Sequence, residues 1–97
     1  MNPDVKAPVE RRRLVVSGRV QGVGFRATAM GVARRFPVTG FVRNEPDGTV
    51  LIEVQGLSGA IDAFVLALRN RMVANIQGID SLPMALAEDG QGFVIER

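Results

Sequence analysis

Cysteine, histidine, tryptophan and tyrosine are all absent from the 97 residues. Without a thiol or an imidazole there is no disulfide, no thiolate nucleophile, no Ser-His or Cys-His pair and no phosphohistidine or phosphocysteine intermediate. The usual zinc ligand sets go with them. No apolar run approaches the roughly 18 residues needed to span a bilayer. The N-terminal MNPDVKAPVERRR also lacks the apolar segment of a secretory signal. The expectation is a soluble, cytoplasmic, monomeric protein with no membrane partner.

What is present fits one small domain with a single core. Apolar residues make up 46% of the chain, and 12 basic against 10 acidic residues leave a net charge of +2. The pI of 10.4 overstates that basicity. With no His, Cys or Tyr to titrate between the carboxylates and the guanidinium range, a slight cationic excess drives the pI up by itself. The run Arg11-Arg12-Arg13 reads as solvated charge leading into a strand, and no nucleic-acid partner is expected.

Residues 1–12, with Pro3 and Pro8 among scattered charges, read as a flexible tail, leaving 13–97 for the domain. RLVVS, 13–17, is a β-branched strand bounded by Gly18. After a loop, Phe25, Ala29, Val32, Ala33 and Phe36 recur at helical spacing until Pro37 ends the run. VTGFVR, 38–43, and TVLIEVQ, 49–55, form a hairpin around Asn44-Glu45-Pro46-Asp47-Gly48. Ser58 is positioned to cap a second helix in which Ile61, Phe64, Val65, Leu68 and Met72 repeat on one face. Gly78 and Pro83 mark 76–87 as an irregular or edge strand, and FVIER supplies a last strand with Phe93 and Ile95 on one side. The order β-α-β-β-α-β predicts an α+β, ferredoxin-like split β-α-β fold, an antiparallel sheet with two helices packed on one face. That plan serves RNA-binding, metal-carrying and enzymatic domains alike.

The informative stretch is RVQGVGFR, 19–26. Gly22 and Gly24 remove side chains at alternate positions, so successive N–H groups can turn toward one centre, and the helix that follows adds its own free N–H groups. The helix dipole favours an anion there. Arg26 falls in the first helical turn, where a cation is disfavoured unless an anion joins it. A guanidinium can grip two phosphate oxygens at once. The segment matches neither G-x-x-x-x-G-K-[ST] nor G-x-G-x-x-G. On spacing alone a glycine-rich turn with a surface arginine stands beside an anion site, and Asn44 reads equally as turn chemistry.

SGRVQGVGFR, followed after one helix by TGFVRNEPDGTVLIEVQG, resembles the acylphosphatase family, whose members hydrolyse carboxyl-phosphate mixed anhydrides without a metal. The resemblance implies that 13–97 form an acylphosphatase-like domain that needs no metal and no cofactor. It implies that Arg26 and the backbone N–H groups of Gln21, Gly22, Val23, Gly24, Phe25 and Arg26 bind the phosphoryl group, and that Asn44 positions the attacking water. A small acyl phosphate or an acyl-phosphorylated protein would be the substrate, and inorganic phosphate a product. The chain departs from the family's usual residues at Ala27, Pro37 and Phe41 and lacks a C-terminal tyrosine. Two other readings stay open: a noncatalytic phosphate-binding or regulatory module that keeps the cradle, and an RNA-binding domain, which would need aromatics on the open sheet face.

Overall fold

In a computed structural model, residues 8–88 and 92–97 are described. Five strands and two helices follow the order β1 (Val9–Gly18), α1 (Phe25–Ala33), β2 (Thr39–Asn44), β3 (Val50–Leu57), α2 (Ser58–Arg71), β4 (Ile76–Met84) and β5 (Phe93–Ile95). The sheet order is β4-β1-β3-β2-β5. β1 and β2 both lie antiparallel to β3, so they run the same way and α1 is the crossover between them. The expectation of a purely antiparallel sheet needs one correction, because β5 joins β2 in parallel, with Phe41 opposite Val94. A chain that leaves β4 at one edge and returns at the other edge enters in that direction.

One face of the sheet carries the core. Leu14 and Val16 of β1, Val42 of β2, Val50, Ile52 and Val54 of β3, and Phe93 of β5 alternate inward to meet Phe25, Ala29, Val32 and Ala33 of α1 and Ile61, Phe64 and Leu68 of α2. Two-residue strand periodicity and the helical face close one cluster. Phe64 and Phe93 meet at 5.7 Å between ring centroids, which ties the last strand to α2. Met30, Phe36 and Met72 pack at its margin.

Several element ends differ from the sequence expectation. β1 starts at Val9 rather than Arg13, so residues 9–12 are strand and not tail; residues 1–7 lie outside the described ones. The reason is pairing. Arg11 is only 5% exposed, with Nη2 3.0 Å from Glu53 Oε1 and Nη1 3.3 Å from Gln55 Oε1. The helix expected to reach Phe36 stops at Ala33, and a tighter turn carries the chain on, with Phe36 N–H donating to the Ala33 carbonyl. Ser58 does not cap α2. Leu57 occupies the cap position with no side-chain bond, and the Ser58 hydroxyl instead accepts from Arg12 Nη2 at 3.1 Å. β4 is indeed an edge strand, with an irregularity between Ser17 and Gly18 in its partner.

Candidate active site

Residues 19–24 carry the chain from the end of β1 into α1. Gly22 and Gly24 adopt φ of 74° and 77°, the left-handed conformation that side chains resist, and a Cβ at either would meet nothing within 4 Å. The glycines therefore serve backbone direction, not space. Gly24 occupies the helix cap without any side-chain bond. The first backbone bond of α1 is donated by Thr28 to the Gly24 carbonyl at 3.1 Å. Among the described residues, the N–H groups of 21–27 donate to no protein acceptor. A run of free donors at a helix start is an anion site in the making.

Arg26 sits on that first turn. It is half-buried and has no acidic partner among the described residues. A cleft of about 630 Å³ lies against it, bordered by Gly22, Gly24, Phe25 and Arg26 on one side and by Asn44 and the 95–97 segment on the other. Arg26 and Asn44, 18 positions apart in the chain, thus meet at one cleft because β1 and β2 run the same way on either side of β3, so the loop that leaves β1 and the last residue of β2 lie at the same end of the sheet. Asn44 is the last residue of β2, opposite Val50, rather than part of the turn proper. Its Oδ1 is buried with no hydrogen-bond partner. Buried acceptors are rarely left so, because the lost hydration costs about 1–3 kcal/mol.

Two further expected residues behave differently. Gln21 and Val23 do not border the cleft. The Gln21 carboxamide reaches instead to the hairpin, its Nε2 donating to the Glu45 and Thr49 carbonyls, both at 2.8 Å. It clips the glycine loop to the turn that follows Asn44, a role no local pattern announces. Val23 is exposed. Arg19 is exposed and stays out of the cleft, anchored through its backbone to Asn75.

The acids nearby are already engaged. Glu96, on the cleft wall, accepts from Arg43 Nη1 at 3.2 Å, and Glu45 accepts from Arg43 Nε at 3.2 Å. The Glu45 hydrogen bond raises the Arg43 pKa further above its ordinary value, with Glu96 adding to it. Arg43 therefore occupies Glu96, the one acidic side chain that borders the cleft with Arg26. In the turn, Asp47 Oδ1 accepts from Thr49 Oγ1 at 2.6 Å and Thr49 N–H at 3.0 Å, which lowers its pKa. Asp47 is turn chemistry, as the sequence suggests. Among the described residues no group of acidic side chains could hold a metal ion.

On the open sheet face, Phe41 is the one described phenylalanine, with the Arg43 guanidinium 5.5 Å from its ring. A base-stacking sheet would need more aromatics there. Among the described residues no helix is long and apolar enough to cross a membrane.

The family model described as Acylphosphatase matches residues 12–95. The acylphosphatase of Salinibacter ruber is 39% identical over 83 residues, covering 84% of this chain and 87% of the relative. That of Methanospirillum hungatei is 41% identical over 69 residues, 71% of this chain and 76% of the relative. The crystal structure of acylphosphatase from Bacillus subtilis superposes with a TM-score of 0.80 at 30% identity, over 93% of this chain and 100% of that one. With its sheet order, its glycine loop and nearly its whole length accounted for, the chain belongs to the acylphosphatase family.

Proposed function

We propose that this chain hydrolyses the carboxyl-phosphate bond of acyl phosphates, releasing carboxylate and inorganic phosphate, by in-line attack of water and without a metal. The substrate is a small acyl phosphate or an acyl-phosphorylated protein. The leaving group is a carboxylate whose conjugate acid has a pKa of about 4 to 5, so it departs without a general acid. Phosphoryl transfer through a loose transition state asks little of the nucleophile. What remains is to hold charge and to aim water.

Arg26 and the backbone N–H groups of Gly22, Gly24, Phe25 and Arg26, the residues of the 21–26 run that border the cleft, take the equatorial phosphoryl oxygens. Asn44 Oδ1 accepts a hydrogen bond from water and holds it opposite the leaving carboxylate. The water oxygen bonds to phosphorus as the P–O bond to the acyl group breaks with its electron pair. The water protons stay with the phosphate product, since asparagine is no base. The observation that supports this reading most is the partnerless Asn44 Oδ1 in the same cleft as an arginine that has no acidic partner among the described residues. The same reading takes the protein as a cytoplasmic monomer that binds no nucleic acid.

The test is hydrolysis of benzoyl phosphate in the presence of a chelator, beside an inorganic phosphate binding curve. Asn44→Ala is expected to lose turnover by about a hundredfold, the size of effect a misplaced reactant produces, with phosphate binding nearly unchanged. Loss of stability with turnover retained would return Asn44 to the role of a turn residue. Phosphate binding by the wild type with no turnover at all would establish the noncatalytic module instead.

A further inference from the structure

A groove of about 400 Å³ lies beside the cleft, and Ala27 borders both. Its floor is α1 and the turn after it. Ala27 and Gly31 stand four positions apart on one face of α1, and Arg35 follows in the turn beyond Ala33. The first two leave the floor almost bare, and a Cβ added at Gly31 would meet nothing within 4 Å. Arg35 and, from the end of α2, Arg71 line the groove. Neither has an acidic partner among the described residues, whereas Arg12, against the start of α2, is held by Asp62 at 2.7 Å. The helix dipoles make a cation tolerable at these helix ends. They do not account for an open, unfilled groove that leads from Ala27 to two free guanidinium groups.

We infer that the groove receives the acyl chain of substrates that carry a second anionic group, with the phosphoryl group at Arg26 and the distal anion at Arg35 and Arg71. This rests on the acylphosphatase reading and adds a substrate class to it: acyl phosphates of dicarboxylic acids. Ala27 to Ala33 is about 9 Å of helix, and Arg35 lies in the turn beyond it. The distal carboxylate must therefore sit on a chain of some length, and a short diacid gains little.

Initial rates on acetyl, malonyl and adipyl monophosphates test this. The wild type is expected to favour adipyl over acetyl phosphate by about tenfold in kcat/KM, the worth of one charge-assisted hydrogen bond. Malonyl phosphate should stay near acetyl phosphate, and added salt should shrink the adipyl advantage. The R35Q/R71Q double variant should keep its acetyl phosphate rate and lose the adipyl advantage. Gly31→Leu, which fills the floor, should do the same. Equal kcat/KM for adipyl and acetyl phosphates in the wild type overturns the inference, as does an advantage that survives in the double variant. So does an advantage abolished by Arg97→Gln and untouched by R35Q/R71Q, which would put the distal anion inside the cleft. Should acetyl phosphate not be hydrolysed at all, the hydrolase reading fails, and calorimetry with 6-phosphonohexanoate and phosphonoacetate still decides the groove. Tighter binding of the longer phosphonate, lost in the double variant, supports the groove, and equal binding overturns it.

Discussion

The arginines of the sheet and those of the cleft and helix layer live under opposite conditions. On the strands, Arg11 and Arg13 share Glu53, Arg12 holds Glu10 and Asp62, and Arg43 holds Glu45 and Glu96. Around the helices, Arg26, Arg34, Arg35, Arg69 and Arg71 have no acidic partner among the described residues. The net charge of +2 is thus spread very unevenly. A neutralised arginine fastens elements whose strands are far apart in sequence. Arg26, without a carboxylate among the described residues and at a helix start where the dipole opposes it, is expected to take an anion from outside the chain. Pairing therefore separates the arginines that fasten the sheet from those left open to solvent or to the cleft.

The sharpest way to break that contrast is to exchange the roles by mutation. Arg26→Ala should cost more than a hundredfold in turnover, since one preorganised donor in an oxyanion site is worth roughly 3–4 kcal/mol. Its folding stability should be unchanged or higher by about 0.3–1 kcal/mol, because a cation leaves the positive end of a helix. Inorganic phosphate should raise the Tm of the wild type and not of this variant. Near-normal turnover by Arg26→Ala would overturn its assignment. Arg11→Met is expected to do the reverse, keeping kcat and losing stability. Removing one member of a buried ion pair costs about 3–5 kcal/mol. Arg13, 3.5 Å from the other Glu53 oxygen, stays to hold that carboxylate, so about 2 kcal/mol is the expected loss in urea unfolding. A stable Arg11→Met protein with impaired turnover would erase the distinction between the two sets.

What the sequence revealed, and what it hid, follows the range of the interactions. The helix that begins at Phe25, the Asp47 turn and the Gly22–Gly24 loop each rest on residues a few positions apart, so periodicity and turn chemistry are enough to read them, though not the helix's early stop at Ala33. Arg26 and Asn44 became visible as a pair only through the resemblance, and the α1 crossover then delivers both to one cleft. The missed features all depend on distant partners. Ser58 looked like a cap until Arg12, 46 positions earlier, took its hydroxyl. Gln21 bonds across 24 and 28 positions. β5 joins β2 in parallel because the chain crosses the whole sheet after β4, and no local pattern fixes that edge.

Gln21 sharpens the comparison between the two halves of the site, since it joins the loop that holds Arg26 to the turn that follows Asn44. Both carbonyls it binds keep another donor when it is removed: Glu45 N–H donates to the Thr49 carbonyl and Gly48 N–H to the Glu45 carbonyl. Gln21→Met should therefore cost only about 1 kcal/mol of stability, the net worth of ordinary hydrogen bonds. Its signature is kinetic. If the loop and turn lose register, kcat should fall by about tenfold while the phosphate dissociation constant moves much less. Equal losses in kcat and phosphate affinity would mean that Gln21 shapes the cradle alone.

The smallest effect is expected at Asp47, which faces water and touches only its own turn. The Thr49 hydroxyl and N–H bond its ionised form and hold its pKa below the ordinary value of 3.8. A carboxyl with a depressed folded pKa stabilises the fold above the unfolded value, and that contribution disappears as pH falls through the lowered one. Asp47→Asn should consequently melt slightly below the wild type at neutral pH, and the two melting curves should converge in acid. Because Asp47 is outside the cleft, benzoyl phosphate turnover should be the same in both proteins at every pH where both are folded. A gap in Tm that persists well below pH 3.8 would show that the asparagine disturbs the turn by shape rather than by charge.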